Sequence, residues 1–190
     1  SNWTYELGFK MADEMRPVQA TVAVFLADWS NMQLDQPSSD PAYFDSVTGN
    51  LGSARVTGLE LSFDARPTSW SQLRISYAHT DASFNPGTVD LSIAGSCNPQ
   101  ICRMVPAPQP GLLVPDVGGN RLPGAPLDAG SASVVLHGNI SAALRWNFEV
   151  GVDVIGREYA RTDNLNWLQA RQLPNARFAV AGAQWEAAIW

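Results

Sequence analysis

Strict alternation of apolar and polar residues over two neighbouring segments is the feature that most constrains this chain. Between Leu59 and Ala65 the odd-numbered residues are apolar, and the even-numbered residues are small, polar or charged. After Pro67 the alternation resumes and continues from Leu73 to Thr80. Successive side chains of a strand point to opposite faces, so these segments predict a β-hairpin with one apolar and one polar face.

The same period of two residues recurs along most of the chain, and no helical period is sustained. Further alternating segments cover residues 1–10, 18–34, 130–141, 146–154, 175–180 and 185–190. We therefore predict an all-β protein of about eight antiparallel strands in an up-and-down order. Residues 36–50 and 161–172 are expected to be irregular connections.

Two architectures fit such strands, a soluble β-sandwich and a transmembrane β-barrel. Only 16% of the residues are charged, whereas soluble domains average about a quarter. The predicted connections alternate between short and long, which is typical of outer-membrane barrels. Aromatic residues cluster at both strand ends, where they would form two interfacial belts; they are Trp70, Trp146 and Trp185 at short connections, and Trp3, Trp29, Tyr159 and Trp167 at long ones. These features favour a segment of a transmembrane barrel, and a secreted carbohydrate-binding β-sandwich remains the alternative.

Composition and motifs argue against several other classes of protein. The net charge of −6 and the absence of a basic run disfavour a nucleic-acid partner. No phosphate-binding loop or nucleophile motif occurs, and no carboxylate pair has the spacing of a glycosidase, so we do not expect an enzyme. No cofactor is predicted.

Several segments resemble the C-terminal half of TonB-dependent outer-membrane receptors. In chain order, they are TYELGFK followed by ATVAVFLADWSNMQ, ARVTGLELSFDARP followed by LRISYAHTDASF, LPGAPLDAGSASV, and RQLPNARFAVAGAQWEAAIW. The resemblance covers most of the chain outside residues 90–120, and the order and spacing of the segments carry it.

This resemblance implies a barrel of about 22 strands that is closed by an N-terminal plug. It also implies energy-dependent import of a siderophore–iron complex or a similar scarce nutrient across the bacterial outer membrane. The expected partners are the protein's own plug, the TonB complex, outer-membrane lipid and the small-molecule ligand. No plug, TonB box or early barrel strand is recognisable in residues 1–190, so we expect the C-terminal portion of a truncated receptor barrel.

Four carboxylates fall on the predicted polar faces, namely Glu6, Glu60, Glu149 and Asp153. In a barrel they would form a charged inner wall that binds the plug, whereas in a soluble protein they would be ordinary solvated residues. Glu6 and Glu60 also match positions of the family pattern. We predict that all four face the lumen.

The longest predicted connection, residues 85–129, contains both cysteines of the chain, Cys97 and Cys102. A disulfide that closes this small ring suits an oxidising compartment, and the alternative is two free thiols. A metal site would require at least three ligands, and no histidine lies nearby. We predict a disulfide in an extracellular loop.

The ligand-binding residues are not identified by the sequence. The candidates in or near long connections are Arg103, Met104, Trp167 and Arg171. His79 is in phase with the apolar face, where an interfacial role is favoured over haem or metal ligation. His137 is expected on the polar face as a wall residue.

Overall fold

The computed structural model describes residues 1–13, 17–37, 46–107 and 110–190. Eight strands form one antiparallel sheet, in which they lie side by side in the order in which they follow one another along the chain. This is the predicted all-β, up-and-down order. The strands are β1 (Asn2–Asp13), β2 (Val18–Pro37), β3 (Ser46–Thr68), β4 (Ser71–Phe84), β7 (Asp128–Asn139), β8 (Arg145–Ile155), β11 (Arg171–Ala181) and β12 (Glu186–Ile189).

The segment between β4 and β7 is ordered, which corrects the prediction of an irregular connection. It contains a 3₁₀ helix over Leu91–Ser96 and a small hairpin of β5 (Met104–Pro106) and β6 (Leu113–Pro115). A second small hairpin, β9 (Glu158–Tyr159) with β10 (Trp167–Leu168), lies between β8 and β11. In the described part of the chain, no helix is long and apolar enough to cross a membrane.

Several predicted strand boundaries are wrong: β1 extends to Asp13 rather than to residue 10, and β2 to Pro37 rather than to residue 34. β3 begins at Ser46 rather than after Asn50, because it continues to pair with β2; residues 38–45, also predicted as irregular, lie outside the described chain. β11 begins at Arg171, although Pro174 argued for a loop there. β12 pairs only with residues 178–181, so no described strand pairs with Pro174 on that side of β11, a kind of position at which proline is tolerated.

The register of the sheet places the apolar residues of neighbouring strands side by side. One cross-strand row consists of Phe9, Val22, Leu61, Tyr77, Gly130 and Val154, and the next of Met11, Ala20, Phe63, Ile75, Ala132 and Val152. This apolar face is not covered by a second layer of the described chain. Leu7 is 76% exposed, Phe9 69% and Val150 45%. A sandwich would bury these residues, so the soluble alternative is not favoured.

Short and long connections lie at opposite ends of the sheet. Residues 69–70, 140–144 and 182–185 form tight connections at one end, called the short-turn end. Residues 14–16 lie outside the described chain. Residues 85–127 and 156–170 form the long connections at the other end, called the long-loop end. Trp3 and Trp146 lie on the apolar face, whereas Trp29 pairs with Ala54 on the polar face. The prediction that Trp29 belongs to an outer aromatic belt is therefore wrong.

Candidate functional site

The polar face of the sheet is the candidate functional surface, because its side chains are arranged in continuous cross-strand rows. One row contains a cation, four hydroxyl groups and a carboxylate in direct register: Lys10, Thr21, Ser62, Ser76, Ser131 and Asp153. The hydroxyl oxygens of Ser76 and Ser131 are 2.7 Å apart. Small side chains beside this row leave a concavity of about 570 Å³ that Glu60 and Asp153 border.

The four predicted wall carboxylates all lie on this face, but the structure does not bring them together into one cluster. Glu6 is on β1, Glu60 is on β3 between Ala23 and Ala78, and Glu149 and Asp153 are on β8. A lumen-facing role for them remains a prediction. In the described chain, no group of three or more acidic, histidine or cysteine side chains has a metal-binding arrangement.

The four carboxylates differ in whether the sheet itself supplies a partner. An oxygen of Glu149 lies 3.8 Å from an Arg74 guanidinium nitrogen, and Asp153 accepts a 3.4 Å hydrogen bond from Asn175. Glu6 and Glu60 have no ion pair or side-chain hydrogen bond with any described residue. These two carboxylates are therefore available to a partner outside the described chain.

Arg74 organises the polar face near the short-turn end, and the sequence analysis did not single it out. Its guanidinium lies 3.6 Å from Asp64 and donates a 3.0 Å hydrogen bond to Gln72. Gln72 in turn donates to Asp64 over 2.6 Å. The alternation of the central hairpin could have identified this group, because it places Asp64, Gln72 and Arg74 on the same polar face.

Gly58 interrupts the polar face because an aromatic ring lies over it. A Cβ at Gly58 would come within 2.4 Å of the Phe25 ring and 2.8 Å of the His79 carbonyl oxygen. Phe25 pairs with Gly58 across the sheet and therefore points to the polar face. The Phe25 ring therefore lies on the polar face beside the position of Glu60, which is two residues from Gly58 on β3.

The connection after β4 folds over the same face at the long-loop end. Its side chains form a buried cluster with residues of β2, β3 and β4: Met32, Ala54, Phe84, Ile93 and Val117. Met32 reaches the cluster at an irregularity in the β2–β3 register, beside Asn31 with a φ of 54°. A Cβ at Gly52 would lie 2.4 Å from the Thr88 side chain, so glycine is needed for this close approach. The polar face is thus covered at its long-loop end.

Cys97 and Cys102 form a disulfide bond in the structure, and Cys97 packs against this cluster. Arg103 pairs with Asp116 at 2.9 Å and also donates to the Gly118 carbonyl. These contacts hold Arg103 within its own loop, so this candidate ligand residue has a structural role in the loop.

Two other candidate ligand residues are also engaged by neighbours. Arg171 lies 3.0 Å from Glu158, and the Trp167 ring stacks with the Arg157 guanidinium at 5.4 Å from the ring centroid. Met104 begins β5 and is half-buried. In the described chain, Met104, Trp167 and Arg171 do not meet Arg103 at one pocket.

The two histidines lie on the faces predicted for them. His79 is on the apolar face, where its Nδ1 is 2.8 Å from an Asp128 oxygen that also accepts a 2.7 Å hydrogen bond from Tyr77. His137 is exposed on the polar face near the short-turn end. The faces agree with the prediction, and the interfacial role of His79 and the wall role of His137 remain predictions.

A single antiparallel sheet with an exposed apolar face, and with a polar face that long connections cover at one end, is the arrangement expected of a segment of a transmembrane β-barrel. The sequence model of the family described as TonB dependent receptor-like, beta-barrel, matches residues 1–185. The chain therefore belongs to the TonB-dependent receptor β-barrel family. Proteins of this family are receptors of the Gram-negative outer membrane. A comparison with curated protein sequences finds no match.

Solved structures share the fold at low sequence identity. The ferric yersiniabactin uptake receptor FyuA from Yersinia pestis superposes with a TM-score of 0.66 at 18% identity. The siderophore receptor PiuA and the ferric preacinetobactin receptor BauA, both from Acinetobacter baumannii, give TM-scores of 0.62 and 0.61 at 18% and 15% identity. Each match covers 94% of this chain and 22% of the other, so the chain spans about a fifth of the length of these receptors.

Proposed function

We propose that this chain forms the C-terminal part of the barrel of an outer-membrane receptor for TonB-dependent uptake of a siderophore–iron complex or a similar scarce nutrient. The observation that carries the proposal is the division of one continuous sheet into an exposed apolar face and a polar face. Lipid is the environment in which the apolar face is stable, because exposed aliphatic side chains of this extent are costly in water. The family and the names of the similar structures support the ligand class.

The direction of the sheet in the membrane follows from its connections. Outer-membrane barrels have short periplasmic turns and longer extracellular loops. Residues 69–70, 140–144 and 182–185 would then face the periplasm, and the segment predicted as loop 85–129, observed as 85–127, would be extracellular.

The polar face would line the lumen and contact a plug domain that is not part of residues 1–190. Glu6 and Glu60 support this arrangement, because both carboxylates lie on the polar face without a partner in the sheet. Unpaired carboxylates in a confined lumen favour cationic side chains on the plug. Energy coupling would pass through the plug to TonB, and binding and transport rather than catalysis would be the activity.

The proposal is tested in the source bacterium with the complete gene. A deletion strain should lose uptake of iron-55 carried by the siderophore purified from the bacterium's own culture medium. The wild-type gene should restore uptake, but only in cells with an intact TonB gene. Unchanged iron uptake together with lost uptake of cobalamin or haem would show that the ligand class is wrong. Uptake that is independent of TonB would reject the mechanism.

A further inference from the structure

The two long connections at the long-loop end contact each other extensively. The first connection is defined as residues 85–127, of which 108 and 109 lie outside the described chain, and the second as residues 156–170. The Thr162 hydroxyl donates to Asp90 over 2.6 Å, and the Asn120 amide donates to the Thr162 carbonyl over 2.8 Å. These bonds join segments that are 42 to 72 residues apart in the chain.

A second set of bonds closes the contact on its other side. The Asn164 side chain accepts from the Arg121 backbone N–H over 2.7 Å and donates to the Arg121 carbonyl over 2.9 Å. The backbone N–H of Gly124 donates to the Tyr159 carbonyl over 2.9 Å. The pairing of one amide with both backbone groups of one residue fixes orientation as well as distance.

Asp90 is the buried centre of this contact. It is 2% exposed, and Thr162 is 9% exposed. One carboxylate oxygen accepts from the Ser92 backbone N–H and hydroxyl at 2.9 and 2.6 Å, while the other accepts from Thr162. A buried carboxylate is costly unless its hydrogen bonds are complete. The second connection supplies the bond that completes them.

The first connection is also attached to the sheet. Phe84 and Val117 belong to the buried cluster, and Thr88 exchanges hydrogen bonds with the backbone of Ser53 on β3. Thr88 attaches the first connection to the sheet without a bond to the second connection, whereas Asn120 and Arg121 bond both the second connection and β4.

We propose that the two connections form one rigid cap over the long-loop end of the polar face, and that Asp90 is the positioning residue that joins them. An effect of this cap on ligand release rests on the proposed function, but the coupling between the two connections does not.

Amide hydrogen exchange on the full-length receptor in detergent micelles tests the coupling. Thr162→Val removes the hydroxyl that completes the Asp90 carboxylate. Amides of both connections should then exchange about tenfold faster, as expected for the loss of one buried hydrogen bond to a charged group. Thr88→Val is the matched control, because it also removes the hydroxyl of a buried threonine, one that bonds the sheet instead. It should accelerate exchange in the first connection only.

Acceleration that is confined to the second connection in Thr162→Val would overturn the proposal. If that variant fails to fold, Asn164→Gly tests the same contact at the other side. Glycine accepts the φ of 56° at this position and removes both bonds to Arg121. The same coupled acceleration is expected, and exchange that is unchanged in the first connection would again reject the cap.

The functional consequence is measured separately with the iron-55 siderophore from the culture medium. Thr162→Val should dissociate this ligand about tenfold faster than wild type, and Thr162→Ser should restore the wild-type rate because it keeps the hydroxyl. Equal dissociation from Thr162→Val and Thr88→Val would reject the positioning role of Asp90. If wild type does not bind the ligand, the proposed function fails while the exchange result still decides the coupling.

Discussion

Val152 shows how a single side chain can report which face of the sheet meets hydrocarbon. It lies between Ala132 and Pro174 in an apolar row, inside β8, which ends at Ile155. We expect Val152→Arg to lower the assembled fraction of the full-length receptor, because arginine on the lipid face costs about 2–4 kcal/mol at mid-bilayer. Heat-modifiable migration of outer-membrane fractions in gels measures this fraction. Asn175→Arg is the control at the same depth on the polar face, and equal assembly of both variants would contradict the assigned facing.

Glu6 and Glu60 provide a second prediction at the residue scale, because neither has a partner in the described sheet. Glu6→Gln with Glu60→Gln should weaken plug binding in the full-length receptor and increase sensitivity to a large antibiotic such as vancomycin several-fold. The cause is the loss of the charge that we expect to pair with plug cations. Inhibition zones of cells that express each variant measure the effect.

Glu149→Gln is the matched control for that prediction, since Arg74 already pairs with this carboxylate in the wall. It should leave antibiotic sensitivity near wild type. An equal increase in antibiotic sensitivity for Glu6→Gln, Glu60→Gln and Glu149→Gln would show that pairing within the wall does not determine which carboxylates bind the plug.

Among the structural elements, the first connection depends on one aromatic anchor. Phe84 is 2% exposed and ends β4 inside the cluster formed with Ile93 and Val117. Phe84→Ala should destabilise this connection by about 3–5 kcal/mol, the usual cost of removing a buried phenylalanine. Limited proteolysis of intact cells should then cleave residues 85–127 while the sheet remains assembled. The control Leu112→Ala changes an exposed side chain and should not increase cleavage.

The strands were more predictable than the connections for a physical reason. The two faces of a strand are encoded in consecutive residues, so the alternation between Leu59 and Thr80 predicts both the hairpin and its polar face. The cluster around Phe84 instead joins Met32, Ala54 and Val117, which are far apart in sequence. Only the register of β2, β3 and β4 brings these residues together, and no local pattern encodes that register.

The candidate site shows the same division. The polar-face positions of Glu60 and Asp153 follow from alternation, and both were predicted. Whether a carboxylate has a partner depends on the residue opposite it on the next strand or diagonal to it, as with Glu149 and Arg74. The bond between Asp90 and Thr162 joins two residues that are 72 positions apart in the sequence and lie in different connections. Nothing in the flanking sequence of either residue indicates it.

At the scale of the whole molecule, the sheet has two outer edges, the far sides of β1 and β12, that pair with no described strand. Backbone groups on such edges cannot be satisfied in hydrocarbon, where no water replaces the missing partner. We therefore predict that the 190-residue polypeptide, expressed by itself and added to planar bilayers, gives no stable single-channel conductance.

The complete receptor, reconstituted in parallel and opened by urea that unfolds its plug, is the positive control. A steady conductance from the 190-residue chain would show that these eight strands can close on themselves or on a second copy. Chemical cross-linking of the bilayer-inserted species would then distinguish a closed monomer from a dimer, because only the dimer yields a product of twice the mass.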